Sequence, residues 1–209
     1  MKTKQRTGRI ILLLELALML GAAAFLISGM QAMTTQNELS DKVVRLHVLA
    51  NSDSAEDQAL KLQVRDRILA RTTAVLEEVS DRQEAEGRLR GDLLELERIA
   101  AEEIAAAGYG YTVTAELRDT AFPTKEYDGF TLPAGEYLAL RIVIGEGRGQ
   151  NWWCVAFPPL CTTAAADVPA AALAAGLSSE EVSLITEQEG YILKFKAVEF
   201  WEELQEKWR

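Results

Sequence analysis

The residue types that most often carry out chemistry are scarce in this sequence. The chain has one histidine, His47, and two cysteines, Cys154 and Cys161. A zinc site with two histidines is therefore excluded, and two cysteines alone do not complete a four-ligand structural site. A nucleophilic cysteine needs a base within hydrogen-bonding reach, and Cys154 with His47 is the candidate pair because both residues lie on predicted strands. We expect no metal site and no cofactor, and a cysteine hydrolase stays an alternative.

Other catalytic patterns are incomplete. The sequence has no Gly-x-Ser-x-Gly motif, which marks one large class of serine hydrolases. Gly145, Gly147 and Gly149 suggest a phosphate loop, but its Gly-Lys-Ser/Thr ending is missing and a strand follows where a helix should begin. Acidic pairs such as Glu77 and Glu78 lie on predicted helix faces, where a solvated surface is the ordinary explanation. We therefore expect a protein that is not an enzyme and has no small-molecule substrate.

Hydrophobic patterning predicts the elements that would position these residues. Alternation of apolar and polar residues predicts strands, and apolar residues at helical spacing predict helices. The expected strands are Val43–Ala50, Tyr111–Leu117, Tyr137–Ile144, Trp152–Phe157 and Tyr191–Lys196. In the first of them, alternation places Val44, Leu46 and Val48 on one face and Arg45 and His47 on the other. The expected helices are Ser54–Val79, Glu84–Ala107, a short helix that begins near Ser178, and a terminal amphipathic helix that contains Val198 and Leu204.

The order of these elements predicts an α+β domain. We expect a mixed, mainly antiparallel sheet of about five strands, covered by a helical hairpin and C-terminal helices. Tyr137–Ile144 is apolar on both faces apart from Arg141, which indicates a central strand. The short glycine-rich segment Gly145–Asn151 predicts an antiparallel hairpin between its flanking strands. Proline and glycine residues between Arg118 and Gly135 predict a long loop.

Residues 1–33 have the pattern of a signal peptide or a membrane anchor. The first nine residues carry four basic side chains and no acidic one, and Ile10–Met30 contains a single charge, Glu15. These 21 residues are long enough to cross a bilayer core of about 30 Å. Small residues near Ala24 and Ala32 also offer cleavage points, so both outcomes stay open. In either case we expect residues 40–209 to form a domain outside the cytoplasm.

The charge of that domain limits its partners. The chain has 22 basic and 32 acidic residues, and removing residues 1–33 leaves a net charge of −13. Nucleic acid is therefore an unsuitable partner, and anionic lipid would repel the domain. Contact with a membrane is expected through the N-terminal segment or a protein partner.

The two cysteines are both in this exported part and are separated by six residues. An even number of cysteines in an oxidising setting favours one disulfide, here between Cys154 and Cys161. In the chain-entropy model, closing so small a loop stabilises the fold by about 2 kcal/mol. The alternative is a pair of buried thiols that behave as small hydrophobic side chains.

Two stretches of the sequence resemble the stage II sporulation protein R family. The first is Val44–Ser54, continued through Asp57–Lys61 to Val64–Asp66, and the second is Asn151–Val155 followed by Phe157–Cys161. The likeness in layout covers roughly residues 40–205. The residues after Cys161, Thr162–Ala164, are less aromatic than the family pattern.

The resemblance implies a protein that is made in the forespore and exported into the space between the two membranes of the sporangium. In this family the exported protein triggers a membrane-embedded aspartic protease of the mother cell, stage II sporulation protein GA, which processes pro-sigma-E. This chain would then be a non-catalytic activator. The alternatives are an extracytoplasmic cysteine peptidase or wall-modifying hydrolase that uses Cys154 and His47, and an anchored structural protein of the sporulation septum.

The predicted partner-binding residues lie in the two family-like stretches. Strand alternation sends Trp152 and Trp153 to opposite faces, so only one ring readily fills the core, and tryptophan is a common interface anchor. We expect Asn151 and both tryptophans to contact the partner, with Asn51 and Asp53 as a second candidate surface. The competing explanations are two buried rings and a turn that only caps a helix.

Overall fold

A computed structural model describes residues 15–16, 18–21, 34, 36–160 and 167–186. Its strands are β1 (Val44–Leu49), β2 (Val113–Phe122), β3 (Lys125–Tyr127), β4 (Phe130–Leu132), β5 (Gly135–Ile144) and β6 (Asn151–Phe157). Its helices are α1 (Ala55–Val75), α2 (Arg82–Ala106), α3 (Val168–Ala174) and α4 (Ser179–Thr186). The predicted α+β class is confirmed.

Several predicted elements fall outside the described residues. These are most of the leader at residues 1–33, the strand at Tyr191–Lys196 and the terminal helix. In the part of the chain that the structure describes, no helix combines the length and the hydropathy that a bilayer crossing requires.

The main sheet has four strands in the order β2-β5-β1-β6. β5 runs parallel to β1, whereas the β1–β6 and β2–β5 pairs are antiparallel. The sheet is therefore mixed and mainly antiparallel, as expected. β5 lies between two neighbours, which confirms the central position predicted from its apolar character.

The hairpin predicted at Gly145–Asn151 is wrong, because β1 lies between β5 and β6. β1 is buried along nearly all of its length, so its backbone groups need a strand on each side. The connection instead crosses the end of β1, where the amide of Gly149 donates to the carbonyl of Ala50 at 2.9 Å. The two strands that flank the connection are antiparallel but are not neighbours.

The long loop predicted at Arg118–Gly135 is also wrong. β2 continues to Phe122 and pairs with β5 down to Gly135, and β3 and β4 form a small two-stranded sheet. Pro123 and Pro133 lie between these strands, where a missing amide hydrogen does not interrupt pairing. The prolines and glycines that predicted a loop therefore mark the strand ends.

The predicted helical hairpin covers one side of the sheet, called the first face below. Ser54 caps α1 and Asp81 caps α2, each accepting a hydrogen bond from a backbone amide in the first turn of its helix. The apolar stripe of α1 and α2 packs against alternate strand residues in one buried cluster, which includes Leu46, Leu60, Val64, Ile68, Leu89, Leu96, Leu140 and Ile142.

The opposite side of the sheet, the second face, is covered by the β3–β4 sheet together with α3 and α4. Its buried cluster includes Val43, Phe130, Leu132, Tyr137, Ala139, Val155, Val182 and Ile185. A sheet covered on both faces needs strands that are apolar on both sides, and β1 and β5 meet this requirement.

Candidate partner-binding site

The two family-like stretches meet at one end of the sheet. Asn51 Oδ1 accepts a hydrogen bond from the amide of Glu146 at 3.0 Å, and Asp53 Oδ1 accepts one from the amide of Gln150 at 2.7 Å. Lys61 Nζ, from α1, donates to the carbonyl of Gln150 at 2.9 Å. The turn after β1 and the glycine-rich loop before β6 therefore form one hydrogen-bonded unit, although the sequence suggested two separate surfaces.

Asp57 holds the turn of this unit in place. Its side chain accepts hydrogen bonds from Ser52 Oγ at 2.6 Å and from Asn51 Nδ2 at 2.9 Å, and the residue is 4% exposed. These hydrogen bonds hold the pKa of the Asp57 carboxyl below its usual value, and the bond from Ser52 has the largest effect. A hydrogen bond with Tyr111 lowers the pKa as well. The side chain of Asn51 is thus engaged inside the domain, whereas Asp53 is exposed at the rim.

The glycines of the loop allow a close approach between the two segments. A Cβ atom at Gly149 would lie 2.2 Å from the carbonyl oxygen of Ser52, and one at Gly145 would lie 2.3 Å from Asn51 Oδ1. Gly145 also has a φ of +56°, in the region that favours glycine. This packing explains the glycine spacing without a phosphate ligand.

The tryptophans of β6 lie on opposite faces, as the strand alternation predicts. Trp152 packs against the first-face cluster, and the guanidinium of Arg65 lies 4.9 Å from the centre of its ring. Trp153 packs against the second-face cluster, and Lys125 Nζ lies 4.5 Å from its ring centre. Both rings are half-buried. Each tryptophan therefore combines a packing role with a cation over the face of its ring.

His47 and Cys154 do not form a catalytic pair. β1 and β6 pair in a register that puts His47 beside Trp153 on the second face, whereas Cys154 belongs to the first-face cluster beside Leu46. Cys154 is also disulfide-bonded. Its expected partner, Cys161, lies outside the described residues, so that pairing stays a prediction.

His47 is 6% exposed, and its Nε2 shares a hydrogen bond with Asn151 Oδ1 at 2.8 Å. Burial lowers the pKa of its imidazole below the usual value, and the nearby cations of Arg141 and Arg45 lower it further. The hydrogen bond to the amide oxygen of Asn151 acts in the opposite direction and raises the pKa. The side chain of Asn151 therefore orients His47, while the residue itself stays exposed.

Arg45 is a buried cation that the sequence reasoning placed on the correct face but did not single out. It is 0% exposed, and it donates from Nε to the carbonyl of Cys154 at 3.0 Å and from Nη2 to the hydroxyl of Tyr127 at 2.6 Å. Its guanidinium lies 4.3 Å from the ring centre of Phe122. Burial lowers the pKa of Arg45. This side chain ties β1, β2, β3 and β6 together beneath the candidate site.

Comparison with known proteins identifies the family. A model of the stage II sporulation protein R family matches residues 40–167. The chain belongs to that family. Stage II sporulation protein R of Bacillus subtilis (strain 168) is 38% identical to it over 147 residues, which are 69% of this chain and 66% of that protein. No solved structure matches.

The stage II sporulation protein R match contains every predicted partner-binding residue: Asn51, Asp53, Asn151, Trp152 and Trp153. The resemblance predicted from the sequence is confirmed, and the chain is a sporulation protein. Within the described ranges, no cluster of three or more histidine, cysteine or acidic side chains is arranged to hold a metal ion.

Proposed function

We propose that this member of the stage II sporulation protein R family is an exported signalling protein that activates a membrane-embedded aspartic protease, stage II sporulation protein GA. The activated protease would then process pro-sigma-E. Family membership over residues 40–167 is the observation that carries the proposal. The separation of His47 from Cys154 on opposite faces supports it, because the cysteine hydrolase alternative needs the two side chains in contact.

Activation by contact requires a ligand that binds the active state of the protease more tightly than the inactive state. The hydrogen-bonded unit at the end of the sheet suits this role because its loops are already ordered against each other. Asn51 and Asp53 bridge the turn and the glycine-rich loop, and Lys61 joins α1 to the same loop. A preformed surface loses less conformational entropy on binding than a flexible one. We place the contact with the protease at this end of the molecule, with Asn151 and the two tryptophans.

The site of action follows from the N-terminal segment. Its four basic residues followed by Ile10–Met30 favour export of the remaining chain, from the forespore into the space between the two membranes. A disulfide at Cys154 fits an oxidising compartment. The exported domain would be secreted or would stay tethered through residues 1–33.

Co-expression in a bacterium that does not sporulate tests the proposal. The full chain, the protease and pro-sigma-E are produced together, and the processed form of sigma-E is quantified by immunoblotting. Processing is expected only when all three are present and the protease retains its catalytic aspartates. Equal processing with and without the chain would show that the chain is not the activator.

One variant, His47→Gln, separates signalling from hydrolysis. His47→Gln keeps a polar side chain beside Asn151 but removes any general base, so processing is expected to continue when the protein folds. If His47→Gln abolishes processing while its folding is intact, and purified chain hydrolyses peptide or wall substrates unaided, the enzyme alternative is correct.

A further inference from the structure

The second face of the sheet is covered over only part of its area. Toward the N-terminal end of β1, Val43, Arg45 and Ala139 are buried. Toward the other end, Val143 and Leu49 are half-buried, and Asn151 is exposed. We call this less covered region the open half. Its accessible residues are Leu49, Arg141, Val143, Asn151 and Trp153, and the buried His47 lies between Arg141 and Trp153.

The open half is built from two adjacent rows of residues that run across the strands. In the first row, Glu116 on β2 is paired with Arg141 on β5, then His47 on β1 and Trp153 on β6. In the second row, Val143, Leu49 and Asn151 follow in the same order. The open half therefore presents a charged and aromatic row beside an apolar and amide row.

The strand residues of the second face include more arginines than acids, although the segments that cover this face add acids such as Glu126 and Asp128. The four strands direct three arginines to this face, Arg45, Arg118 and Arg141, against a single acid, Glu116. The whole chain has a net charge of −10. Arg118 is 60% exposed at the sheet edge, and Lys125 Nζ lies over Trp153 at the opposite side. Cations thus border the open half in an otherwise acidic protein, which favours an acidic partner.

Two polar atoms in the first row lack hydrogen-bond partners within the described part of the chain. They are Arg141 Nε, whose side chain is 18% exposed, and His47 Nδ1. Arg141 uses Nη1 to bind Glu116, so its guanidinium retains a free donor. Because His47 Nε2 faces the acceptor oxygen of Asn151, the neutral imidazole presents Nδ1 as an acceptor. Both atoms are buried, so a ligand meets the accessible parts of Arg141 and Trp153 and does not reach these two atoms directly.

The chemistry that fits this arrangement is that of an extended acidic peptide. A carboxylate side chain supplies an acceptor for the guanidinium groups of Arg141 and Arg118, and a peptide backbone can bond the exposed side-chain amide of Asn151. Trp153 offers an aromatic surface for the intervening side chain. A simple anion such as phosphate makes no apolar contact with Trp153.

We propose that the open half binds an extended, acidic peptide segment of a partner protein. The identity of the partner rests on the proposed function, since the segment would belong to the exported-side surface of the protease. Carboxylates of the segment pair with Arg141, Arg118 and Lys125, and its backbone contacts Asn151.

Direct peptide binding tests the site without the protease. The probe is the fluorescently labelled, blocked peptide acetyl-Glu-Val-Glu-Val-Glu-amide, and its counterpart with glutamine in place of glutamate is the uncharged control. Fluorescence anisotropy with the purified full chain measures both affinities. The acidic peptide is expected to bind at least about tenfold more tightly, which corresponds to about 1.4 kcal/mol.

Matched variants of the chain remove two positive charges at different places. Arg118→Gln with Arg141→Gln removes them from the second face, and Arg88→Gln with Arg90→Gln removes them from the surface of α2, where both arginines are paired within the helix. The first variant is expected to lose about tenfold in affinity and the second to match the unmodified chain. The single change Arg118→Gln, at the exposed edge of the sheet, is expected to give a smaller loss of peptide affinity. This single variant replaces the double variant if the double variant does not fold.

Equal binding of the acidic and uncharged peptides, or equal affinity of both double variants, would overturn the proposal. So would self-association of the chain that is lost only in the Arg118→Gln, Arg141→Gln variant, since a second copy would then occupy the site.

The processing assay separates a failure of this site from a failure of the proposed function. If the unmodified chain fails to trigger processing, the proposed function fails; if both double variants trigger it equally, the open half is not the signalling surface.

Discussion

At the scale of single residues, Asp57 connects the start of α1 to the turn that follows β1. Its carboxylate accepts hydrogen bonds from Asn51 and Ser52, while its own amide donates to Ser54 Oγ at 3.1 Å. One acidic residue therefore orders a turn, a helix cap and, through Asn51, the adjacent glycine-rich loop.

Asp57→Asn is expected to lower the free energy of unfolding by about 1–3 kcal/mol at neutral pH, because the amide is a poorer acceptor for two donors. Since the folded-state pKa of Asp57 lies below its ordinary value of 3.8, its contribution is present above that value and is lost as the pH falls through the folded-state pKa. Urea unfolding at neutral and acidic pH measures both effects. Asp66→Asn, on the exposed side of α1, is the control and is expected to leave stability unchanged; an equal loss in both variants would contradict the role of Asp57.

His47 gives a pH dependence of the same direction as Asp57, but it begins at a higher pH, below 6.5 instead of below 3.8. Its folded-state pKa lies below 6.5, so between these two values the unfolded chain binds more protons than the folded chain. The free energy of unfolding is therefore expected to fall as the pH drops below 6.5 and to level off below the folded-state pKa. Protonation would place a third cation beside Arg141 and Arg45.

The comparison with His47→Gln isolates this effect from the titration of carboxylates. Urea unfolding of both proteins across the acidic range is expected to give a stability difference that shrinks as the pH falls. A difference that stays constant with pH would show that His47 has an ordinary pKa.

The limits of sequence reasoning also appear at this scale. Alternation in β1 correctly put Arg45 and His47 on the same face. It did not reveal that this face is buried, because Tyr127 and Phe130, which help to cover it, come from a segment whose prolines and glycines predicted a loop. Burial of a strand face depends on distant segments, which a local pattern does not contain.

At the scale of elements, local signals and long-range pairing had different outcomes. Apolar residues at helical spacing predicted α1 and α2 closely, since a helix is determined by neighbouring residues, although the cap of α2 at Asp81 was not predicted. The sheet order was predicted less well. β1 inserts between β5 and β6, and nothing in the short segment that joins those two strands indicates a strand about 100 residues earlier in the chain.

Gly149→Ala tests the contact between the turn after β1 and the glycine-rich loop. The added methyl group would lie 2.2 Å from the carbonyl oxygen of Ser52, so the segments must separate and the unfolding free energy is expected to fall by about 1–3 kcal/mol. Gly91→Ala is the matched control. Its methyl group meets no atom within 4 Å, and an alanine inside α2 should raise stability by about 0.5–1 kcal/mol.

Chemical denaturation of both glycine variants gives the comparison directly. Hydrogen exchange at the amides of Glu146 and Gln150 adds a local measurement, since both donate across this contact. Faster exchange at these two amides is expected in Gly149→Ala only. Unchanged exchange and stability in Gly149→Ala would show that the two segments do not depend on their close approach.

At the scale of the whole molecule, local charge differs from net charge. The helical hairpin on the first face carries most of its acidic groups in ion pairs within or between helices, such as Arg71 with Asp92 and Arg90 with Glu86. The strand residues of the second face instead include arginines that outnumber their acidic partners, although the segments that cover this face add acids such as Glu126 and Asp128. The open half therefore favours an acidic partner locally, even though the net charge of the chain is negative.

The redox state of the molecule links its fold to the compartment in which it works. Cys154 is disulfide-bonded, and Cys161 is the other cysteine of the chain, so the oxidised, denatured protein is expected to show no reactive thiol in a titration. Reduction is expected to lower the free energy of unfolding by about 2 kcal/mol, because it releases the small loop that the bond closes. Replacing both cysteines with alanine should give a protein as stable as the reduced form and insensitive to reductant. Two titratable thiols in protein recovered from the exported side would contradict the bridge and would weaken the case that this fold is completed outside the cytoplasm.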